Sequence, residues 1–441
     1  MRLLCASNLQ LGRATSGVPD HLGLDSSRLS MTDAWDALVD LARIEAVDAV
    51  LIAGDLIDRD NQRFEPLGPI ERGLTTLGRH DIPMIVVAGD EDVDAIRSLA
   101  ESDTSGALRV LGRDGTWETT TITGRNDDSI TVAGWSAPGR AVTRSPVLDA
   151  PDELTTAAPD VVMLHGTLQH EDEPAGFAPI PLATLDDAPE QLLIAGAERS
   201  PWMQLVGETI VLSPGSPSAL SPEDVGSRGV WIADLSGTTA KLRHVPVAAV
   251  RFDHVSVDLS GVADIDDAEA RLIGEVQRAL DDAVASDDGN HLAAVCIHLT
   301  VTGATSVFHE LPARLDDLAR TIDLQQRGVA LAISSVTDET RPMVDLASFL
   351  ERADPVGETA RLLDALDLPS VEEIPDPYGE LVRRSATRLN GVHRSRVFAS
   401  VAGDDERDLE RARTLLRREA WVALDALVRQ RGIDQEGRQG R

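Results

Sequence analysis

The chain has 441 residues, enough for more than one domain and a large core. Aromatic residues make up only 3%, so Leu, Val, Ile and Ala must fill that core; no run reaches the roughly 18 consecutive apolar residues that a bilayer span requires. The formal charge is −33 and Lys241 is the only lysine, which makes binding of a polyanion hard at low salt.

The first segment alternates short apolar runs with amphipathic ones. Leu3 to Ala6 is expected as a buried strand, and Asp33 to Glu45 as a helix with Trp35, Leu38, Val39 and Ala42 on one side. Strands are expected at Ala49–Ala53 and, after Pro83, at Met84–Ala88. The pattern repeats at Val161–Leu164, Leu192–Ala195, Thr209–Leu212 and Val230–Ala233. Apolar runs bounded by Gly, Asp and Pro, with helices between, indicate an α/β fold of sheet layers covered by helices. Near Pro246 the pattern changes. Val255–Leu259, Leu292–Thr302 and Val329–Ser335 read as strands, and Asp266–Ala285 and Leu311–Ile322 as helices, a small α+β block. After Asp354-Pro355 the chain reads as helical. Ala360–Leu366 and Tyr378–Thr387 are short, and Asp404–Arg429 is long with an apolar stripe through Leu409, Ala412, Leu416, Ala420, Ala423 and Leu427. Gln435–Arg441 is expected to be disordered. The expected domains are therefore 1–248, 249–355 and 356–441.

Polar loops follow several strand ends, where sites in such folds collect. Met1 to Arg13, MRLLCASNLQLGR, is a strand running into a polar turn. Gly54-Asp55-Leu56-Ile57-Asp58-Arg59 follows the second strand and Gly89-Asp90-Glu91-Asp92 the third. Val161-Val162-Met163-Leu164-His165-Gly166 ends another, and Gly196-Ala197-Glu198-Arg199 the next. Leu212-Ser213-Pro214-Gly215-Ser216-Pro217 and Gly229-Val230-Trp231-Ile232-Ala233 complete the series. Singly each is weak, and a lone His at a strand end is more often structural. Together and in this order they resemble the calcineurin-like metallophosphoesterases of the SbcD and YhaO DNA-repair exonuclease type.

The resemblance implies a layered metallophosphoesterase β-sandwich flanked by helices, a small α+β capping domain, and a helical C-terminal region that docks on an SMC-like coiled-coil ATPase. It also implies two metals. Carried over residue by residue, the first metal would have Asn8, Gln10, Asp55 and Arg199. The second would have Asp55, Asp90, His165 and Ala197. The chain departs from the family pattern at five places. Asn8 and Gln10 stand for an Asp and a His, and Ala197 and Arg199 for two histidines. Glu91 stands for the His that stabilises the transition state, and a carboxylate there repels a phosphodiester. Arg199 is a permanent cation, expected to pair with Asp55 or a nearby acid. Asp55, Asp90 and His165 suit a single manganese or magnesium ion; with none bound, the chain would be a catalytically degenerate subunit.

Two functional readings follow from the resemblance. One is a degenerate SbcD-like subunit, acting as a structural or DNA-binding partner of the ATPase, with Leu409, Leu416, Ala420 and Leu427 as docking residues. The other is an active manganese-dependent exonuclease or phosphodiesterase with a reduced site. A homodimer is in keeping with the family. From Glu380 to Arg441 there are 14 arginines against 10 acids, a basic-leaning tail on an acidic body, read either as a docking segment or as an ordinary solvated helix pair.

Cys5 and Cys296 lie in apolar runs and read as buried thiols, and no leader sequence is evident, so a cytoplasmic setting without membrane attachment is expected. The acidity and the lack of lysine fit a salt-in halophile; a GC-rich genome explains the arginine bias alone. At molar salt the Debye length is about 3 Å and self-repulsion is screened. The halophile reading predicts that circular dichroism shows a folded chain in molar KCl that loses structure in dilute buffer. An unchanged spectrum in both would make the acidity unrelated to salt.

Overall fold

The computed structural model describes residues 1–61, 65–151, 159–170, 176–185, 191–237, 239–287, 291–393 and 405–439. Two compact units emerge. One holds Met1–Val255 with Glu275–Leu299 and Ala319–Ser335; the other holds Ser256–Gly274, Thr300–Leu318 and Val336–Arg441.

In the first unit, β1 (Arg2–Ala6), β2 (Ala49–Ala53), β3 (Met84–Val87) and β4 (Leu108–Val110) run parallel. The neighbouring strands β5 (Trp117–Thr123), β6 (Ser129–Trp135), β7 (Val161–Leu164), the short pair β8 (Leu168–Gln169) and β9 (Ile180–Pro181), β10 (Leu192–Ala195), β11 (Trp202–Val206) and β12 (Thr209–Ser213) follow. Then come the long hairpin strands β13 (Gly229–Ser236) and β14 (Thr239–Pro246). The first sheet has the order β14-β13-β1-β2-β3-β4 and the second β11-β12-β10-β7-β6-β5.

Strand alternation explains the layering. On β1, Leu3 and Cys5 join Leu51, Val87, Met163 and Ile194 in a core shared by the two sheets. Leu4 and Ala6 face the other way, into a cluster with Trp35, Leu38, Leu74 and Ile96 from the covering helices. This is the α/β sandwich flanked by helices that the sequence implies. The helix Met31–Ile44 begins two residues before the expected start, because Ser30 caps it by accepting from the Thr32 N–H. Burial raises the Cys5 thiol pKa to about 12, in line with an inert packed cysteine.

A third sheet has the order β15 (Val250–Asp258), β16 (Ala294–Thr305), β18 (Val329–Pro342) and β17 (Leu324–Gln326). Together with the helices Ile265–Ala285 and Leu311–Thr321 it forms the α+β block. β15 starts earlier and β18 runs further than the apolar pattern predicts.

The second unit carries the helices Pro355–Leu366, Tyr378–His393 and Asp405–Gln439. Asp354 caps the first of these by accepting from Gly357 N–H, with Pro355 at its first turn. Leu409 and Leu416 pack against the cluster around Leu366 and Val382. Ala420 is buried, and Leu427 packs beside it near Phe308 and Leu363. These residues of the stripe are therefore packed by the chain's own helices, while Ala423 is exposed. The structure continues the last helix through Gln439, where disorder was expected; residues 440–441 lie outside the described part, as does Asp404. Among the described residues no helix is long and apolar enough to cross a membrane.

Trp35 shows how tightly the helical layer is built. It is fully buried and donates from Nε1 to the Pro69 carbonyl at 3.0 Å. A Cβ on Gly73 would lie 2.4 Å from its ring, so only glycine lets the helix Leu67–Arg79 approach. Trp35→Ala should destabilise the chain by about 3–5 kcal/mol, read as a lower urea midpoint.

Candidate metal centre

The loops after β1, β2, β3, β7 and β10 carry every residue singled out in the sequence series. Backbone bonds hold the first two together: the Asn8, Gln10 and Leu11 N–H groups donate to the Gly54, Asp55 and Leu56 carbonyls. Asn8, Gln10 and Asp55 all take left-handed backbone conformations, with φ of 50°, 44° and 55°. Such conformations are sparsely populated outside glycine and persist where surrounding structure enforces them.

Asp55, Asp90 and His165 converge, each offering a ligand atom within 4.8 Å of the others. His165 Nε2 lies 3.3 Å from Asp90 Oδ1 and 3.6 Å from Asp55 Oδ2, and Nδ1 is 3.0 Å from the Ala53 carbonyl oxygen. Two glycines make room. A Cβ on Gly54 would lie 2.3 Å from His165 Nδ1, and one on Gly89 2.1 Å from Asp55 Oδ1.

Burial disfavours the charged form of each group, but the pairs partly reverse it. Burial raises the Asp55 pKa, against the pull of His165. Burial also opposes protonation of His165, yet Asp55 and Asp90 outweigh it and lift its pKa to about 9. Asp90 is lowered: burial acts against this, and the His165 hydrogen bond prevails. Without a metal, the imidazolium is thus the cation between two carboxylates. A divalent ion would take over that charge and require His165 to give up its proton. Two carboxylates and an imidazole suit one hard or borderline cation with water completing its shell.

The remaining positions are turned to other partners. Asn8 is buried and donates from Nδ2 to the Gly196 and Glu198 carbonyls and to Ser7 Oγ. Gln10 Oε1 accepts from Arg13 at 3.2 Å. Arg199 pairs with Asp224, the nearby acid, and not with Asp55; the buried Arg228 holds the Arg199 carbonyl from behind. Ala197 offers no ligand atom. Glu91 forms an ion pair with Arg59 at 3.4 Å, and burial raises its pKa against that pairing. Apart from Asp55, the residues carried over for the first metal give it no anionic ligand, so the side chains present fit one ion and not a pair.

Asp92 was not singled out in the sequence. It is fully buried, accepting from Leu56 N–H at 2.7 Å and Gly89 N–H at 2.8 Å, and so clamps the Asp55 loop to the Asp90 loop. Burial, reinforced by Asp55, pushes its pKa up to about 7. An acid one residue before a helix was the available signal; its burial was not visible.

The arrangement at Asn8 makes a sharp prediction. Its amide N–H groups point at two carbonyl oxygens, so a carboxylate there would face oxygen with no hydrogen to share. Asn8→Asp should lower the melting temperature in EDTA relative to wild type, and manganese should not restore it while Gln10 and Arg199 stay with Arg13 and Asp224. A variant as stable in EDTA as wild type would contradict the assigned geometry.

Against known proteins, residues 252–341 match the family model described as Metallophosphoesterase YhaO, middle domain. The DNA double-strand break repair protein Mre11 of Sulfolobus acidocaldarius is 24% identical over 269 residues, which are 56% of this chain and 64% of that protein. This chain thus spans less than two thirds of the relative's length. A dimetal phosphatase from Danio rerio aligns with 55% of this chain and 98% of its own, at 13% identity and a TM-score of 0.37. The calcineurin-like phosphoesterase YfkN from Bacillus subtilis aligns with 55% of this chain and 88% of its own, at 9% identity and a TM-score of 0.34.

Proposed function

We propose that this chain, a metallophosphoesterase of the SbcD/Mre11 type, is a catalytically degenerate subunit that serves an SMC-like coiled-coil ATPase as a structural or DNA-binding partner. The observation that carries this reading is the fate of the first metal position. Asn8 is committed to backbone carbonyls, Gln10 to Arg13, and Arg199 to Asp224. Two-metal hydrolysis needs ions about 3.5–4 Å apart clamping both oxygens of the displacement. The donor set supports one ion.

What the remaining side chains can do is limited but definite. Asp55 and Asp90 hold a cation, and His165 orients against the Ala53 carbonyl. Glu91, tied to Arg59, puts negative charge where a phosphodiester would approach. A bound manganese or magnesium would polarise a phosphoryl oxygen and acidify a water. The cluster of Asp55, Asp90 and His165 favours a second reading, a slow single-metal exonuclease or phosphodiesterase.

The domain division follows the same reading: 1–248 as the phosphoesterase body, 249–355 as a capping domain and 356–441 as a docking region. The match at 252–341 supports the middle assignment. Docking on a coiled coil belongs to the helical region; among the described residues, Leu415 and Val422 are large apolar side chains exposed on the last helix, seven residues apart on one face. A cytoplasmic setting and a salt-adapted surface complete the proposal.

The test is a nuclease assay on linear DNA with manganese at low and high salt, with metal analysis of the same sample. Wild type is compared with Asp55→Ala and with the double revertant Asn8→Asp, Gln10→His. The expected result is at most one ion per chain, bound more weakly as pH falls below about 9 where His165 takes up its proton, and no turnover above the Asp55→Ala background. Robust activity lost in Asp55→Ala would establish the single-metal enzyme instead.

A further inference from the structure

The second sheet ends at β11, Trp202–Val206, which pairs with β12 on one side and with no strand on the other among the described residues. We infer that this edge is a self-association surface: β11 pairs antiparallel with β11 of a second copy of this chain, about a two-fold axis at Gln204, so that the two sheets become one. This pairing is independent of the metal site and of either reading of it.

The main-chain groups left over on β11 place the axis. Ile210 donates its N–H to the Gln191 carbonyl, on the β10 side, so Thr209, Val211 and Ser213 turn theirs to β11. Opposite them, Val206, Gln204 and Trp202 turn their groups inward, and the N–H and C=O of Met203 and Leu205 point outward. Pro201 has no N–H to give at one end, and the Gly207-Glu208 turn ends the strand at the other. A two-fold axis at Gln204 sets Met203 of each copy opposite Leu205 of its twin. Both are pairs of the kind that exchange two main-chain bonds each, so every outward group of the strand finds a partner.

Side chains directly opposite in an antiparallel pair share a face. Met203 lies opposite Leu212, which belongs to the core shared by the two sheets, and Leu205 opposite Ile210, which packs against that core. The apolar layer of the sandwich therefore runs on to Met203 and Leu205, which are 48% and 63% exposed. In the paired form Met203 of each copy meets Leu205 of the other on this face, and both leave water. Edge strands are ordinarily blunted by a charge or a bulge. β11 has no charged residue, and its register with β12 is unbroken from Trp202 to Val206.

Charge selects the occupant. The chain carries −33 and 26% of its residues are charged, yet Ser200–Gly207 has no charge at all. A foreign partner suited to so acidic a body would be basic, and would be drawn to its carboxylates rather than to an uncharged strip. Two copies repel as wholes, and this strip lets their main chains meet without setting like charges opposite each other. On the axis Gln204 faces Gln204 of the second copy, an amide pair in which each side can donate and accept. One short strand a side buries on the order of several hundred Å², under the roughly 1,200 Å² of a standard stable interface, so the dimer is weak. It is also strengthened by salt, which screens the repulsion between the two bodies.

The experiment uses the full chain. Sedimentation velocity in molar KCl should show a monomer–dimer equilibrium, shifting to monomer as KCl is lowered over the range in which circular dichroism stays constant. Leu205 is exposed, so Leu205→Lys leaves the fold intact and should raise the dimer dissociation constant by about tenfold or more. Gln204→Cys puts a thiol of each copy on the axis. There the Cα atoms of a non-hydrogen-bonded pair stand about 4.5 Å apart, within the ~4.4–6.8 Å that a disulfide spans. The native Cys5 and Cys296 are buried, so mild oxidation should yield a disulfide dimer from Gln204→Cys and none from Glu208→Cys at the exposed turn. A chain that stays monomeric in molar KCl at every concentration would overturn the pairing and leave the edge to a foreign strand. A dimer unchanged by Leu205→Lys would place self-association on another face, and equal cross-linking of Glu208→Cys would reduce it to random collision; either overturns the pairing.

Discussion

Asp55 and Asp92 are carboxylates buried in one cluster of loops, and burial penalises the charge on both. The molecule meets that penalty with His165 beside Asp55 and with backbone N–H groups around Asp92. Much else at this end of the sheets depends on it. Gly54 and Gly89 leave room for the ring and the carboxylate. The left-handed turns at Asn8, Gln10 and Asp55 bring the strand ends close enough for their loops to bond to one another. The parallel strands deliver all of these loops to one edge of the sandwich, so a short list of side chains decides both the packing and the chemistry there.

Much of this was legible in the sequence, for a physical reason. Strand ends in a parallel sheet are punctuated by glycine and by acids, and Gly54-Asp55, Gly89-Asp90 and Leu164-His165-Gly166 sit at the ends of short apolar runs. Their order carries the family resemblance, and it was that resemblance that let Asp55, Asp90 and His165 be read together before any distance was known. What stayed hidden depended on burial and on distant partners. Asp92 looks like any helix-start acid until two loop amides are seen to close on it. Asp224 lies 25 residues beyond Arg199, and no local pattern joins them. The helix Leu67–Arg79 contains Gly68, Pro69, Gly73 and Gly78, a composition that argues against helix, and forms because Gly73 lets it close on Trp35. The hairpin β5–β6 is absent from the strands expected from the sequence, and only Ile122, Ile130 and Val132 of its alternation reach the shared core.

The helical region teaches a related lesson about amphipathic stripes. Leu409, Leu416, Ala420 and Leu427 have the period of a docking surface, yet the same period is satisfied by the helices folded beside them. Periodicity reports that a face is covered and is silent about what covers it. The exposed face of the same helix carries arginines and a few isolated apolar side chains.

The amide of Asn8 has a consequence for how this chain can change over generations. Two carbonyl oxygens are held together by hydrogens that a carboxylate lacks, so this position and the occupancy of the neighbouring space are linked. A lineage that exchanged a carboxylate for this amide would find the single step back uphill: the aspartate alone meets repulsion, and the ligands that would recruit an ion for it are also gone. Recovery would need several substitutions to arrive together. The site would in that sense act as a ratchet, in which one modest side-chain exchange, once accommodated by its neighbours, is hard to reverse alone.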